Sequence, residues 1–164
     1  YEKIKVLILV APSFTKEQVQ EKLENVQFPF ILLKDDPFEM IHLVDYMLVA
    51  SGTATLQVGL LHKPMVIMYR VKWLTGVIAS FLVGKMQLFG LVNLVLGRMV
   101  VPEVKQREAN VENLFKLMRR YLDEPVYSQK IREELSQVQS KLGNKGATVR
   151  VAQALEQYFK DKTL

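Results

Sequence analysis

Four short apolar runs frame this chain: residues 3–10, 28–33, 46–49 and Met65–Tyr69. Each is rich in aliphatic residues and is strand-length rather than helix-length. The stretches between them carry helix-start signals. Thr15 is placed to cap a polar helix running to about residue 25, and Asp36-Pro37 opens a shorter one through 44. Pro29 falls near the start of its run, where a strand tolerates it. Short buried strands alternating with helices of about ten residues are the pattern of βαβ units. The chain is therefore predicted to be α/β, a parallel sheet flanked by helices.

Sheets of that kind bind ligands at the carboxyl ends of their strands. One such end is conspicuous. The third run passes directly into Ala50-Ser51-Gly52-Thr53-Ala54-Thr55-Leu56-Gln57, a turn of small and hydroxyl residues opening a helix to residue 61. Gly52 lets a ligand approach the backbone closely. Ser51 and Thr53 are placed either to cap the helix or to bond a phosphate oxygen, and free N–H groups at the helix start favour an anion. By itself a Ser-Gly-Thr turn is also an ordinary helix cap.

Beyond Met65–Tyr69 the pattern changes. Residues 73–83 are apolar with a helical pattern, 84–87 interrupt them, and 88–96 are apolar again. A membrane span needs about 20 continuous apolar residues. Joining the two runs would put Lys85 near mid-bilayer at a cost of about 3 kcal/mol. A helix that docks on the sheet or dips one face into a membrane surface is expected instead. From Asn110 the pattern is helical: 111–122, then a helix opened by Pro125 to 142, a stop at 143–146, and a last helix over 147–160. The expected division is a sheet domain over 1–109 and carboxyl-terminal helices over 110–164, packing on it or on a partner. The chain starts at Tyr1 directly in a strand pattern, so a piece of a longer protein is expected.

The net charge of +5 has a location. Arg70, Lys72, Lys85, Arg98, Lys105 and Arg107 face only Glu103 within 70–107, and the rest of the chain is balanced. Basic charge beside the longest apolar runs points to an anionic ligand with an apolar part, or to an anionic membrane surface. The cations lie among aliphatics rather than on a polar stripe, which argues against nucleic acid. There is no Cys, and His42 and His62 are not at ligand spacing, so no metal site is expected.

Two pieces sharpen the turn. Residues 50–57 are followed by His62-Lys63-Pro64-Met65-Val66 and Tyr69-Arg70; then come Asn93-Leu94-Val95-Leu96-Gly97-Arg98 and Val101-Pro102-Glu103. In this order they resemble the lipid-A-disaccharide synthase family, nucleotide-sugar glycosyltransferases of the two-domain GT-B type. The family reads Ser-Gly-Thr-Ala-Thr-Leu-Glu, then Pro-Met-Val-Val with Tyr-Arg/Lys, then Pro-Asn-Leu-(Ile/Leu)-Ala-Gly-Arg-Glu-x-Val-Pro-Glu. The likeness covers essentially the whole chain but only the carboxyl-terminal half of the family's protein.

That resemblance implies a Rossmann-like, donor-binding half with a helical tail. It implies transfer of 2,3-diacylglucosamine from its UDP derivative to 2,3-diacylglucosamine 1-phosphate, with UDP released and no cofactor. Ser51, Gly52, Thr53, Gln57, Arg70, Asn93, Gly97, Arg98 and Glu103 are the implied donor-site residues, with Asn93 the one candidate for a catalytic role. The general base is expected in an amino-terminal acceptor domain outside this chain. The implied partners are both acylated sugars, the inner-membrane surface, that amino-terminal domain and a homodimer mate, and no nucleic acid. Three positions depart from the pattern. Gln57 replaces the Glu that holds the ribose hydroxyls, Met99 replaces the Glu after Gly-Arg, and Val92 replaces the Pro before Asn. An amide still donates and accepts, but carries no charge. A non-catalytic descendant of the family and another GT-B transferase of UDP-N-acetylglucosamine remain the alternatives. Arg98 read without the family is a surface ion pair, Asn93 a loop residue bonding its own backbone, and Phe89 a core or docking residue.

Overall fold

A computed structural model describes residues 4–70, 88–143 and 146–162. The helical run expected over 73–83, with Lys72, Lys85 and the break at 84–87, lies outside the described residues.

The first strands are β1 (Val6–Leu9) and β2 (Phe30–Leu33), joined through helix α1 (Lys16–Lys22). Helix α2 (Pro37–His42) leads to β3 (Met47–Ala50), α3 (Ala54–Leu60) and β4 (Met65–Tyr69). Helix α4 (Leu91–Leu96), β5 (Glu103–Lys105) and a 3₁₀ turn at Gln106–Glu108 follow. The chain closes with α5 (Val111–Asp123), α6 (Pro125–Leu135), α7 (Gln137–Leu142) and α8 (Ala147–Lys162).

All strand pairs among the described residues are parallel, as the alternation predicts. They form two hydrogen-bonded groups, β1-β2 and β3-β4-β5. Strand β4 is central in the second, with Met65 beside Met47 and Ile67 beside Glu103. Its residues Met65, Val66 and Ile67 are fully buried. A strand covered on both faces needs a continuous apolar run, and this one has it. The core continues through Val58, Val92, Val101, Ile131, Leu135 and Val138, so α3, α4, α6 and α7 all bury residues against this sheet.

The local starts follow the side-chain chemistry. Thr15 and Gln18 form a reciprocal capping box at α1. Asp36 accepts from the N–H groups of Phe38 and Glu39, Pro125 sits in the first turn of α6, and Asn110 caps α5 through the N–H of Asn113. Two features were not foreseen. Strand β5 is three residues long and starts on a charged residue, so it carries no apolar period. The helix expected over 125–142 is broken at Ser136, whose hydroxyl donates to the Glu133 carbonyl; such local bonding competes with the helical ladder. Helix α8 stands apart from the core: Val149, Leu155, Tyr158 and Phe159 are each more than half exposed.

Candidate functional site

The carboxyl ends of β3, β4 and β5 meet in one place. Ladder pairing continues one residue past β3, where the Ser51 N–H donates to the Met68 carbonyl at 2.8 Å. At the same level Tyr69 pairs with Lys105. The chain then turns at Gly52, whose φ of 154° disfavours a side chain, and among the described residues nothing lies within 4 Å of where a Cβ would project.

The turn is held differently from the sequence expectation. Thr53 makes no capping bond with its side chain. The buried hydroxyl of Thr55 instead donates to the Gly52 carbonyl at 2.8 Å, and the Ser51 hydroxyl donates to the Phe89 carbonyl at 3.3 Å. Among the described residues, the backbone N–H groups of Gly52, Thr53 and Ala54 have no partner, as expected at a helix start. The side-chain amide of Gln57, one turn further and half-buried, also has none among these residues.

Phe89 joins the turn to β5. Its ring lies 5.0 Å from that of Tyr69, and the Lys105 ammonium stands 4.3 Å from its centroid. Arg70, directly after β4, is exposed at the same end. The assembled end therefore offers backbone donors, two hydroxyls, two aromatic rings and two cations. Phe89 and Lys105 are the members that motif reading missed. Lys105 stood out only in the charge count, and Phe89 only as an apolar residue.

Asn93 and Glu103 do other work. Asn93 is fully buried and uses its whole hydrogen-bonding capacity. Its Nδ2 donates to the Val101 carbonyl and to Glu103 Oε1, both at 2.8 Å, and its Oδ1 accepts from Val100 N at 2.9 Å and Val101 N at 3.1 Å. Glu103, 8% exposed, accepts from Phe89 N at 2.8 Å and Gly90 N at 3.0 Å as well. The pair ties the start of α4 to β5 and to the Val100–Val101 segment before it.

Gly97 ends α4 in a left-handed conformation, its N–H on the Leu94 carbonyl. Arg98 follows it and forms an ion pair with Glu134 of α6, also a hydrogen bond. The Arg98 guanidinium holds the Glu134 carboxyl below its usual range. Helix α4 is six residues long, about 9 Å of rise, and starts beside Phe89. It carries Arg98 away from the Ser51–Thr53 turn. The structure thus gathers Ser51, Gly52, Thr53 and Arg70, with Gln57 one helical turn behind. It places Asn93 and Glu103 beneath them and puts Gly97 and Arg98 at the opposite end of α4. Among the described residues no group of His, Asp or Glu could hold a metal ion, and no helix is long and apolar enough to cross a membrane.

The comparisons with known proteins bear on the whole chain. The family described as Lipid-A-disaccharide synthetase matches residues 1–158. A lipid-A-disaccharide synthase of Geobacter metallireducens is 34% identical over 152 residues, which is 93% of this chain and 39% of that protein. That of Geobacter sulfurreducens is 33% identical over the same shares, and that of Anaeromyxobacter dehalogenans is 38% identical over 90% of this chain and 38% of its own. The chain spans about two fifths of the length of these relatives. A parallel α/β architecture, the ordered motifs and a match over nearly every residue agree: this chain belongs to the lipid-A-disaccharide synthase family, glycosyltransferases of lipid A biosynthesis.

Proposed function

We propose that this chain is the donor-binding part of a lipid-A-disaccharide synthase. The whole enzyme moves 2,3-diacylglucosamine from its UDP derivative to the 6-hydroxyl of 2,3-diacylglucosamine 1-phosphate. UDP leaves, and a β-1,6-linked disaccharide 1-phosphate forms. The observation that carries this reading is the open carboxyl end of β3-β4-β5. There, among the described residues, the Gly52 backbone is uncovered, the N–H groups of residues 52–54 lack partners, and Arg70 and Lys105 stand at the ends of β4 and β5.

Breaking the bond between sugar and diphosphate leaves negative charge on the departing UDP. Fixed N–H donors and an arginine stabilise that charge as it grows, since they need no reorganisation during the reaction. Gln57 is within the same helix and offers an amide to the ribose hydroxyls. Arg98 is assigned to its ion pair with Glu134 and not to the diphosphate. The acceptor site and the general base belong to an amino-terminal domain. Both substrates carry acyl chains and negative charge, and the basic excess over 70–107 suits a peripheral site at the inner-membrane surface.

Calorimetry with UDP on the intact protein tests the donor role. UDP binding that weakens in Arg70→Ala and persists in Arg98→Ala is expected. Equal loss in both returns Arg98 to the site, and no binding by the unmodified protein removes the donor reading. Flotation with anionic vesicles tests the surface: binding that high salt weakens is expected, and absence of flotation in any lipid overturns it.

A further inference from the structure

We infer that Glu103 is a positioning residue: its buried carboxylate clamps the Phe89–Gly90 segment and so sets the geometry of the donor site without touching the donor. The inference rests on the donor-site reading above for its functional half and on geometry for its structural half.

Glu103 has almost no access to solvent, and among the described residues no cation pairs with it. Its three hydrogen bonds go to Phe89 N, Gly90 N and Asn93 Nδ2. Gly90 is the residue before α4, and no side chain of its own caps that helix. A carboxylate from β5 supplies the missing acceptor across a gap of thirteen residues. The fit leaves no slack. A Cβ on Gly90 would clash with the Ile67 Cδ1 methyl and lie 3.2 Å from Glu103 Oε1, so this backbone packs directly against the Ile67 side chain of β4.

From that clamp two contacts reach the open end of the sheet. The Phe89 carbonyl receives the Ser51 hydroxyl, and the Phe89 ring lies against Tyr69 and Lys105. Moving Phe89 by a fraction of an ångström therefore shifts a hydroxyl of the Ser-Gly-Thr turn and an ammonium group together. Asn93, itself fixed by four bonds, holds Glu103 Oε1 in place.

Glu103→Gln keeps the shape and changes one oxygen into an amide donor, which cannot accept from both Phe89 and Gly90. On the intact enzyme, well below its thermal midpoint, backbone amide exchange in a peptide covering residues 88–92 is expected to rise about tenfold. The donor KM is expected to rise about tenfold and the acceptor KM to stay put. The effects of Glu103→Gln and Ser51→Ala on donor KM are expected to be less than additive, because both act through Phe89. Unchanged exchange over 88–92 overturns the clamp. Faster exchange with an unchanged donor KM, or strict additivity with Ser51→Ala, overturns the positioning role. If Glu103→Gln does not fold, Ser51→Ala carries the test: exchange over 88–92 that stays at the unmodified level overturns the link. Intact protein that binds no UDP overturns the donor reading of the preceding section and leaves the exchange measurement to decide the clamp.

Discussion

The two ends of the β3-β4-β5 sheet are built on opposite principles. At the amino end, Tyr46, Tyr121 and Tyr127 form a stack, with ring centroids 5.8 and 5.4 Å apart and nearly parallel planes. Tyr121 is fully buried, donates its hydroxyl to the Met65 carbonyl at 2.9 Å, and has its pKa driven upward by burial. Guanidinium groups cover the stack, Arg120 over Tyr127 and Arg132 over Tyr46. The one fully buried ring of the stack, Tyr121, has its hydroxyl matched by a backbone carbonyl. At the carboxyl end the same strands carry Ser51, Gly52, Arg70 and Lys105, with backbone donors of residues 52–54 lacking partners among the described residues. Aromatic rings occur at both ends: at one they form a tyrosine stack, and at the other Tyr69 and Phe89 lie together beside a lysine. On the proposed donor role, the difference divides stability from binding: one end tolerates no loss of matter, the other no loss of charge or of backbone access.

Substitutions can break that contrast. Tyr121→Ala is expected to have the largest effect, destabilising the fold by about 3–5 kcal/mol through the cavity left in the stack. Urea unfolding measures it, and UDP affinity of the folded fraction should not change. Arg70→Ala is the reverse case. It should weaken UDP binding by about 1.5–3 kcal/mol, the range for a charge-assisted bond, with stability within about 0.5 kcal/mol of the unmodified protein. A large stability loss here would mean that the carboxyl end is structural after all. Gly90→Ala falls between the ends and should affect both properties. Overpacking against Ile67 is worth about 1–3 kcal/mol of stability, and calorimetry should find UDP binding weakened as well.

The smallest effect is expected at Arg98. The Glu134 carboxyl is lowered in the folded protein by its hydrogen bond to Arg98. A lowered folded pKa stabilises the fold above the unfolded carboxyl pKa and loses that contribution as pH falls through the folded value. The thermal midpoints of Arg98→Ala and the unmodified protein should therefore differ slightly at neutral pH and converge in acid. Arg98 is exposed and Glu134 partly so, and salt should reduce the difference further. A gap that persists unchanged at low pH would assign Arg98 a role other than its pair with Glu134.

Much of this was legible from residue order. The Thr15, Asp36 and Pro125 starts stand where their side chains predicted, because capping depends on groups within three or four residues of one another. The four apolar runs became strands for a similarly local reason. Strand β5 was hidden because its first residue is a buried Glu, and only the N–H groups of Phe89 and Gly90, distant in sequence, make that burial favourable.

The sequence by itself determined the class, the family and the Ser-Gly-Thr turn that follows β3. Each depends on the local apolar period or on motif order. It could not decide what Asn93, Arg98 and Glu103 touch. Their partners lie between seven and thirty-six residues away, and the same polar side chain can serve a ligand or a loop. Only the packing of α4 against β4, β5 and α6 settled that, by giving Asn93 four protein partners, Glu103 three, and Arg98 a carboxylate at the far end of its helix.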